Sequence, residues 1–283
     1  MKTFSEYYRE NRTNLDAVLF DIDGTLIHGG VSALPNAPEI IDTLNKNNCP
    51  YFIFTNGVTQ SCAQRAEQLQ RNGLNTTEKH IISAGHVLQK YLLDHNCCGQ
   101  TFFQCGDLGD PNYAHAVGVH TVRSFREREK CSGVIIGGGA LNNRSEFEAA
   151  FNLLLERPDL PCLTVNPDDL WRANTGFRIG DGSVAKFMVS LLKNCNINLE
   201  MLYLGKPYSP IYSLALQKIS ELLPGREIRP ERIIAIGDYL QSDIAGANRA
   251  GMISALVLTG MSDLKAAKNA PQDFQPQMIF STL

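Results

Sequence analysis

Two aspartates separated by one residue follow a short apolar run near the amino terminus. The run covers residues 17–20, and the acids are Asp21 and Asp23, followed by Gly24. Residues two apart along a strand point the same way, so both carboxylates can face one crevice if the run is a buried strand. Two such charges repel each other unless a metal, a shared proton or covalent chemistry relieves them. The pattern therefore predicts a site with acid-based chemistry.

Three further polar blocks follow apolar, strand-like runs. In a parallel sheet the carboxyl ends of the strands meet at one edge, where open α/β sheets bind their ligands. We therefore expect all the blocks to converge on one pocket that holds four carboxylates, one ammonium and one hydroxyl. The further blocks are Thr55-Asn56-Gly57, Gly205-Lys206-Pro207, and Gly237-Asp238 with Ser242-Asp243.

Charge repulsion predicts what else the pocket contains. Two unit charges about 4 Å apart repel by about 4 kcal/mol at an effective dielectric constant near 20. Several ionised carboxylates therefore need a cation between them. Oxygen ligands select a hard ion, and Mg²⁺ is the usual choice where a phosphate completes its coordination.

Strand-like and helix-like runs alternate along nearly the whole chain, which predicts an α/β fold with a doubly wound parallel sheet core. The middle third has predicted strands and helices of its own, which indicates a second α/β unit inserted into the first. We place the core at 1–83 and 196–283 and the insert at 84–195. The predicted strands are 17–20, 51–54, 81–82, 101–105, 133–136, 163–165, 202–204, 233–236 and 254–258, and the predicted helices are 38–44, 61–72, 86–95, 145–155, 184–193, 210–223 and 242–250.

The composition narrows the function classes. The chain has 283 residues, 43% apolar and 19% charged, with a net charge of −3. That charge gives no reason to expect a nucleic acid or a membrane as partner. The amino terminus has no signal-peptide core and no run could span a membrane, so we expect a cytoplasmic protein. The eight cysteines form no C-x-x-C pair, which disfavours a zinc site and predicts mostly buried, reduced thiols.

The four blocks, in this order, resemble the signature of the haloacid dehalogenase (HAD) superfamily of phosphohydrolases. The run Asp-Ile-Asp-Gly-Thr-Leu-Ile-His-Gly-Gly at 21–30, the Thr-Asn block and the large insert are similar to its class IIA branch. That branch includes NagD-like sugar phosphatases, p-nitrophenyl phosphatase-like proteins and phosphoglycolate phosphatases. Thr-Val-Asn-Pro-Asp at 164–168 also resembles the Asn-Pro-Asp segment of the branch's cap. The resemblance implies a HAD-like core with an inserted α/β cap of the C2 type.

The resemblance also implies a role for each block. Asp21 would be the nucleophile that forms an aspartyl-phosphate, and Asp23 the acid that protonates the leaving alcohol and then the base that activates water. Lys206 would neutralise the nucleophile and the transferring group. The implied phosphate-binding residues are Gly24, Thr55, Asn56, Gly57 and Lys206. The implied Mg²⁺ ligands are Asp21, Asp238 and, through its carbonyl, Asp23. Asp243 would bind the ion directly, or support the ion or Lys206 without binding the ion.

Other positions carry weaker hypotheses. Asp168 would contact the substrate from the cap, as would Trp171 or Arg172, with cap packing as the alternative reading. His28 would reach the substrate from a flap or lie in solvent. Gly57 departs from the commoner Thr-Asn-Asn or Thr-Asn-Ser, although its backbone amide would still bind phosphate.

We therefore expect a Mg²⁺-dependent phosphomonoesterase for a small phosphorylated metabolite, such as a sugar phosphate, a nucleoside monophosphate or phosphoglycolate. The alternative is a phosphometabolite-binding or regulatory protein with little turnover on the same scaffold. A phosphotransferase would use the same residues. A nicotinamide-dependent enzyme is disfavoured because the glycines at 137–139 lack the G-x-G-x-x-G spacing. We leave open a homodimer formed through the cap.

Overall fold

A six-stranded and a five-stranded parallel β-sheet, both flanked by helices, make up the fold. A computed structural model describes residues 1–173 and 175–283. The strands are β1 (Ala17–Phe20), β2 (Ile27–His28), β3 (Ser32–Ala33), β4 (Tyr51–Thr55), β5 (Ile81–Ser83), β6 (Thr101–Cys105), β7 (His120–Val122), β8 (Cys131–Ile136), β9 (Cys162–Thr164), β10 (Leu170–Ala173), β11 (Gly176–Ile179), β12 (Met201–Tyr203), β13 (Ile233–Gly237), β14 (Ile253–Val257) and β15 (Met278–Phe280). The α-helices are α1 (Phe4–Asn11), α2 (Ala37–Lys46), α3 (Cys62–Arg71), α4 (Ala84–Asp94), α5 (Arg144–Glu156), α6 (Asp181–Asn194), α7 (Ser209–Leu222), α8 (Ala245–Arg249) and α9 (Leu264–Asn269).

The larger sheet has the strand order β15-β14-β13-β1-β4-β5, with every neighbouring pair parallel. All four residues of β1 are buried, because helices cover both faces of the sheet. The chain leaves β1 toward β4 on one side and later returns to β13 on the other side. The strand order thus reverses at β1, and the carboxyl ends of β1, β4 and β13 border the place where such sheets bind ligands. The predicted α/β fold with a doubly wound parallel sheet is confirmed.

The smaller sheet is built within residues 101–203 in the order β12-β9-β8-β6-β7. Its strand β12 corrects one prediction, because we expected the run before Lys206 to end in the same sheet as the run before Asp21. Instead β12 pairs with β9, with Met201 opposite Cys162. A short apolar run fits either sheet, and only its distant pairing partner decides between them. The division at 84 and 195 stays a prediction, and the smaller sheet itself extends to residue 203.

Two local features shape the surroundings of the crevice. Strands β10 and β11 form an antiparallel hairpin that was not predicted from the sequence. Residues 240–244 form a π-helical turn ahead of α8, where we expected one helix over 242–250. The turn lets the Asp243 carboxylate accept a hydrogen bond from the Tyr239 backbone N–H at 3.1 Å. Such π turns are frequent at functional sites.

Apolar side chains of both sheets share one buried cluster, in which Leu19 and Phe54 of the larger sheet join Leu163 of the smaller one. All eight cysteines are free thiols: four are buried, two are half-buried, and Cys98 and Cys195 are exposed. Within the described part of the chain, no helix has the length and apolar character needed to cross a membrane.

Candidate active site

A cavity of about 920 Å³ opens at the carboxyl ends of β1, β4 and β13, and the β10–β11 hairpin contributes to its wall. The blocks predicted from the sequence all contribute to this one cavity. The lining includes every predicted site residue: Asp21, Asp23, Gly24, Thr55, Asn56, Gly57, Asp168, Lys206, Asp238 and Asp243. The predicted residues therefore converge on one cavity.

The ammonium group of Lys206 lies between the carboxylates of Asp21 and Asp243. Its Nζ donates to Asp21 Oδ1 at 2.7 Å and to Asp243 Oδ1 at 2.6 Å, and the side chain is only 3% exposed. Burial of the ammonium works to lower the pKa of Lys206, but the two carboxylates raise it well above its ordinary value. Lys206 is therefore held as a charged ammonium group against the predicted nucleophile.

Lys206 lies in the loop after β12, and the side chain of Asn56 holds this loop beside the acidic residues. Its side-chain Oδ1 accepts from the backbone N–H of Lys206 at 2.7 Å, and its Nδ2 donates to the carbonyl of Lys206 at 2.9 Å. A Cβ at Gly205 would lie 2.3 Å from Asn56 Oδ1, so only glycine permits the approach. The side chain of Asn56, at the end of β4, thus positions Lys206 and joins the two sheets.

An acid cluster is formed by Asp21, Asp238 and Asp243. One carboxylate oxygen of each residue lies within 4.8 Å of the corresponding oxygens of the other two. Burial, reinforced by the charges of Asp21 and Asp243, raises the pKa of Asp238 well above its ordinary value. Burial also raises the pKa of Asp243 to about 7, although Lys206 opposes this shift. Three acids face one ammonium, so the cluster must take up protons or a further cation. A set of oxygen donors alone fits a hard divalent ion.

The backbone around Asp238 is shaped to hold its carboxylate. Oδ2 accepts from the Met261 backbone N–H at 2.6 Å. A Cβ at Gly260 would lie 1.8 Å from this oxygen, and one at Gly24 would lie 2.3 Å away. Gly24 also has φ +83°, a conformation that side chains rarely adopt. Both glycines keep space open for the acid cluster.

Asp23 lies at the cavity mouth, with its side chain accessible from the cavity. Loss of solvation by the protein around its carboxyl group raises the pKa of Asp23, and so does the negative charge of Asp21. The positive charges of Arg65 and Lys206 lower it less strongly. A carboxyl group that keeps its proton closer to neutrality suits a general acid. Nearby, Thr55 Oγ1 accepts from the Gly57 backbone N–H at 3.0 Å.

The second sheet and its hairpin contribute the residues with weaker hypotheses. Asp168 Oδ1 is buried and has no hydrogen-bond partner among the described residues. Burial raises the pKa of Asp168, and Lys206 opposes the shift. Arg172 Nη1 donates to the carbonyl of Gly260 at 3.0 Å, so the hairpin contacts the loop that holds Asp238. Trp171 and His28 also line the cavity.

Arg65, which also lines the cavity, was missed by the sequence reasoning. It lies in the first turn of α3, eight residues after Gly57 of the block that ends β4. A Cβ at Gly57 would lie 3.1 Å from Arg65 Nη2. The sequence did contain one signal. Gly57 has no side chain, and Arg65 lies one helical turn into α3, the next helix along the chain.

Comparisons with known proteins agree with this geometry. A family model for haloacid dehalogenase-like hydrolases matches residues 18–120, and a second HAD-hydrolase-like model matches residues 203–283. A dihydroxyacetone phosphatase of Corynebacterium glutamicum is 24% identical over 94% of this chain and 88% of its own length. An acid sugar phosphatase of Staphylococcus aureus is 23% identical over 89% of this chain and 90% of its own length.

Solved structures show the same fold. NagD from Escherichia coli has a TM-score of 0.77 at 22% identity, covering 95% of this chain and 96% of its own. A glycerol phosphate phosphatase of Mycobacterium tuberculosis, solved with magnesium, has a TM-score of 0.78 at 23% identity over 94% of this chain and 74% of its own. The chain belongs to the haloacid dehalogenase-like hydrolases, as a phosphatase of their class IIA branch.

Proposed function

We propose that this phosphatase is a Mg²⁺-dependent phosphomonoesterase that hydrolyses a small phosphorylated metabolite through an aspartyl-phosphate on Asp21. One observation carries the proposal: Lys206 Nζ lies 2.7 Å from Asp21 Oδ1, in a cavity that also holds Asp23 and the acid cluster. The ammonium lies beside the oxygen that would attack, where it can stabilise the charge of an incoming phosphoryl group. We further propose the insert at 84–195 as the cap that selects the leaving group.

The carboxylates of Asp21, Asp238 and Asp243 would hold the divalent ion, with Asp243 also shared with Lys206. The carbonyl of Asp23 would be a further ligand. When bound, the ion supplies a positive charge that offsets the negative charge of the transferring phosphoryl group. The donor set consists of oxygen atoms and is buried, which favours Mg²⁺ over softer metals.

The side chains of the site can carry the reaction in two steps. A carboxylate oxygen of Asp21 attacks phosphorus while the bond from phosphorus to the alcohol oxygen breaks, and Asp23 gives its proton to that oxygen. Asp23, now a carboxylate, then takes a proton from water, whose oxygen attacks the same phosphorus. The phosphorus–Asp21 bond breaks and inorganic phosphate leaves. Thr55 and the amides near Gly57 would hold the phosphoryl oxygens that do not react.

The cavity supports a small substrate with polar groups of its own. The unpartnered Asp168 Oδ1 can accept a hydrogen bond from a hydroxyl of the leaving group. The relatives named dihydroxyacetone phosphatase and acid sugar phosphatase support the class of small phosphorylated metabolites. We therefore place a phosphorylated sugar or polyol first among the candidate substrates.

Phosphate release from a panel of esters, with Mg²⁺ or with a chelator, tests the proposal. The panel includes glycerol 3-phosphate, dihydroxyacetone phosphate, a hexose phosphate, a nucleoside monophosphate, phosphoglycolate and p-nitrophenyl phosphate. We expect Mg²⁺-dependent release that Asp21→Asn lowers at least about 1,000-fold. Asp42→Asn, on the exposed face of α2, is the matched control and keeps full activity.

Two outcomes would reject the proposal. Undiminished turnover by Asp21→Asn would exclude the assigned nucleophile. Tight binding of phosphorylated metabolites without phosphate release would instead support the binding-protein alternative.

A further inference from the structure

Arg65 is a cation of the cavity that the proposed chemistry does not use. Its half-buried side chain extends from α3 into the cavity wall, beside the block Thr55-Asn56-Gly57 that is proposed to bind phosphate. Arg65 Nη2 and Thr55 Oγ1 lie 3.1 and 3.3 Å, respectively, from the point where a Cβ on Gly57 would stand. The guanidinium therefore occupies the space that a side chain at position 57 would fill, next to the hydroxyl proposed to bind phosphate.

The orientation of Arg65 is fixed by a short relay of hydrogen bonds. Its Nη1 donates to Gln68 Oε1 at 2.9 Å, and Gln68 Nε2 donates to the carbonyl of Gly30 at 2.8 Å. Gly30 belongs to the segment that follows Asp23. The relay holds the guanidinium at the rim of the site, and its remaining N–H groups stay available.

No carboxylate of the described residues lies within ion-pair distance of Arg65, whereas Lys206 has two such partners. A half-buried guanidinium that forms no direct ion pair with a described carboxylate suits an external anion. The phosphoryl group already has Lys206, Thr55 and backbone amides as proposed partners. A planar guanidinium fork matches two coplanar oxygens, as in a carboxylate or a second phosphoryl group.

We propose that Arg65 binds a second anionic group on the substrate's leaving portion and so selects doubly anionic phosphate esters. This inference rests on the proposed phosphatase function and deepens it. Arg65 and Asp23, the group assigned to the leaving oxygen, both line the cavity, and the positive charge of Arg65 acts on the Asp23 carboxyl. The second anion would therefore lie a few bonds from the ester oxygen.

Matched substrate pairs test the inference. In one pair, 2-phosphoglycolate is compared with 2-hydroxyethyl phosphate; in the other, 3-phosphoglycerate is compared with glycerol 3-phosphate. A pair of glycerol 1,3-bisphosphate and glycerol 3-phosphate separates a second phosphoryl group from a carboxylate. The measured quantity is the ratio of kcat/KM for the doubly anionic ester to that for its partner.

The parent protein should prefer at least one doubly anionic ester, and Arg65→Gln should lower that ratio about 10–100-fold, mainly through KM. Arg65→Lys keeps the charge but loses the fork, so its ratio should lie between the two. Arg71→Gln, an exposed arginine of the same helix that pairs with Glu67, is the matched control and leaves the ratio unchanged.

The outcomes separate the inference from the proposed function. If the parent hydrolyses the esters without preferring any doubly anionic member, or Arg65→Gln leaves the ratio unchanged, the inference is overturned and the phosphatase function stands. An equal loss on both members of a pair also overturns it, because Arg65 would then act on the transferring group or on the fold. If the parent releases phosphate from no ester, the proposed function fails and the inference fails with it.

Discussion

The role of Lys206 as the charge that holds the acid cluster together can be tested by the substitution Lys206→Met. Methionine keeps a side chain of comparable length but removes the ammonium from between Asp21 and Asp243. The side chains of Lys206, Asp21 and Asp243 are 3%, 15% and 6% exposed, respectively. Solvent would therefore screen the repulsion between the two carboxylates only weakly. The structure therefore predicts a loss of stability as well as a loss of activity.

The size of the loss follows from burial. Breaking a buried ion pair by removing one partner costs about 3–5 kcal/mol. At about 2–4 °C per kcal/mol for a domain of somewhat smaller size, the melting temperature should fall by roughly 6–20 °C. The matched control is Lys186→Met, because Lys186 pairs with Asp169 at the surface, where the two side chains are 55% and 39% exposed. An exposed pair contributes up to about 1 kcal/mol.

The pH dependence supplies a second criterion. In the parent protein burial raises the pKa of Asp243 to about 7, although Lys206 opposes this shift. Without the ammonium, the pKa of Asp243 in the folded protein rises further above its unfolded value. The folded state then binds more protons than the unfolded state, so the variant's stability falls as pH rises through that window. The destabilisation should therefore be larger at pH 7.5 than at pH 5. Thermal unfolding in the presence of a chelator measures it at both values. A shift at pH 7.5 no larger than that of Lys186→Met, or a larger shift at pH 5 than at pH 7.5, would refute the reasoning.

Two other perturbations test neighbouring parts of the site. Burial raises the pKa of Asp181 to about 6 from an ordinary 3.8, so its contribution to stability is present at low pH and is lost as pH rises from about 4 to 6. Asp181→Asn keeps an acceptor for the Ala140 N–H, at 3.1 Å in the parent, and should match the parent at pH 4 but exceed it at pH 7 by up to about 3 kcal/mol; equal unfolding midpoints at pH 7 would contradict this. Gly260→Ala places a methyl group where Asp238 Oδ2 now lies, and should weaken Mg²⁺ binding about 10–100-fold by calorimetry. Unchanged affinity would show that Asp238 does not hold the ion.

The parts of the site that lie on the larger sheet could be predicted from short sequence patterns. An apolar run such as 17–20 can only be a buried strand or a piece of buried helix, and the Asp-x-Asp-Gly ending identifies its end. Asp21, Thr55 and Asp238 each follow or end a strand, so a parallel sheet necessarily brings them to one edge. Local pattern and global topology agree here, which is why the convergence could be anticipated.

The features that the sequence did not reveal depend on distant contacts. The membership of β12 in the smaller sheet is decided by its pairing with β9, some forty residues earlier. The position of Lys206 depends on the side chain of Asn56, which no local pattern specifies. Arg65 has the sequence context of an ordinary surface arginine on α3. Its place in the cavity wall depends on the space left by Gly57 and on its hydrogen bond to Gln68, and no local pattern specifies either contact.

The central claim is that Asp21 receives the phosphoryl group from the substrate. The most direct measurement mixes the protein with a good substrate and Mg²⁺, stops the reaction in acid within the first turnover, and maps the phosphorylated peptide by mass spectrometry. We predict that the peptide containing Asp21 gains one phosphoryl group, and that the same peptide from Asp21→Asn gains none. A burst of released alcohol accompanied by an unmodified Asp21, or by a phosphoryl group on another residue, would contradict the account.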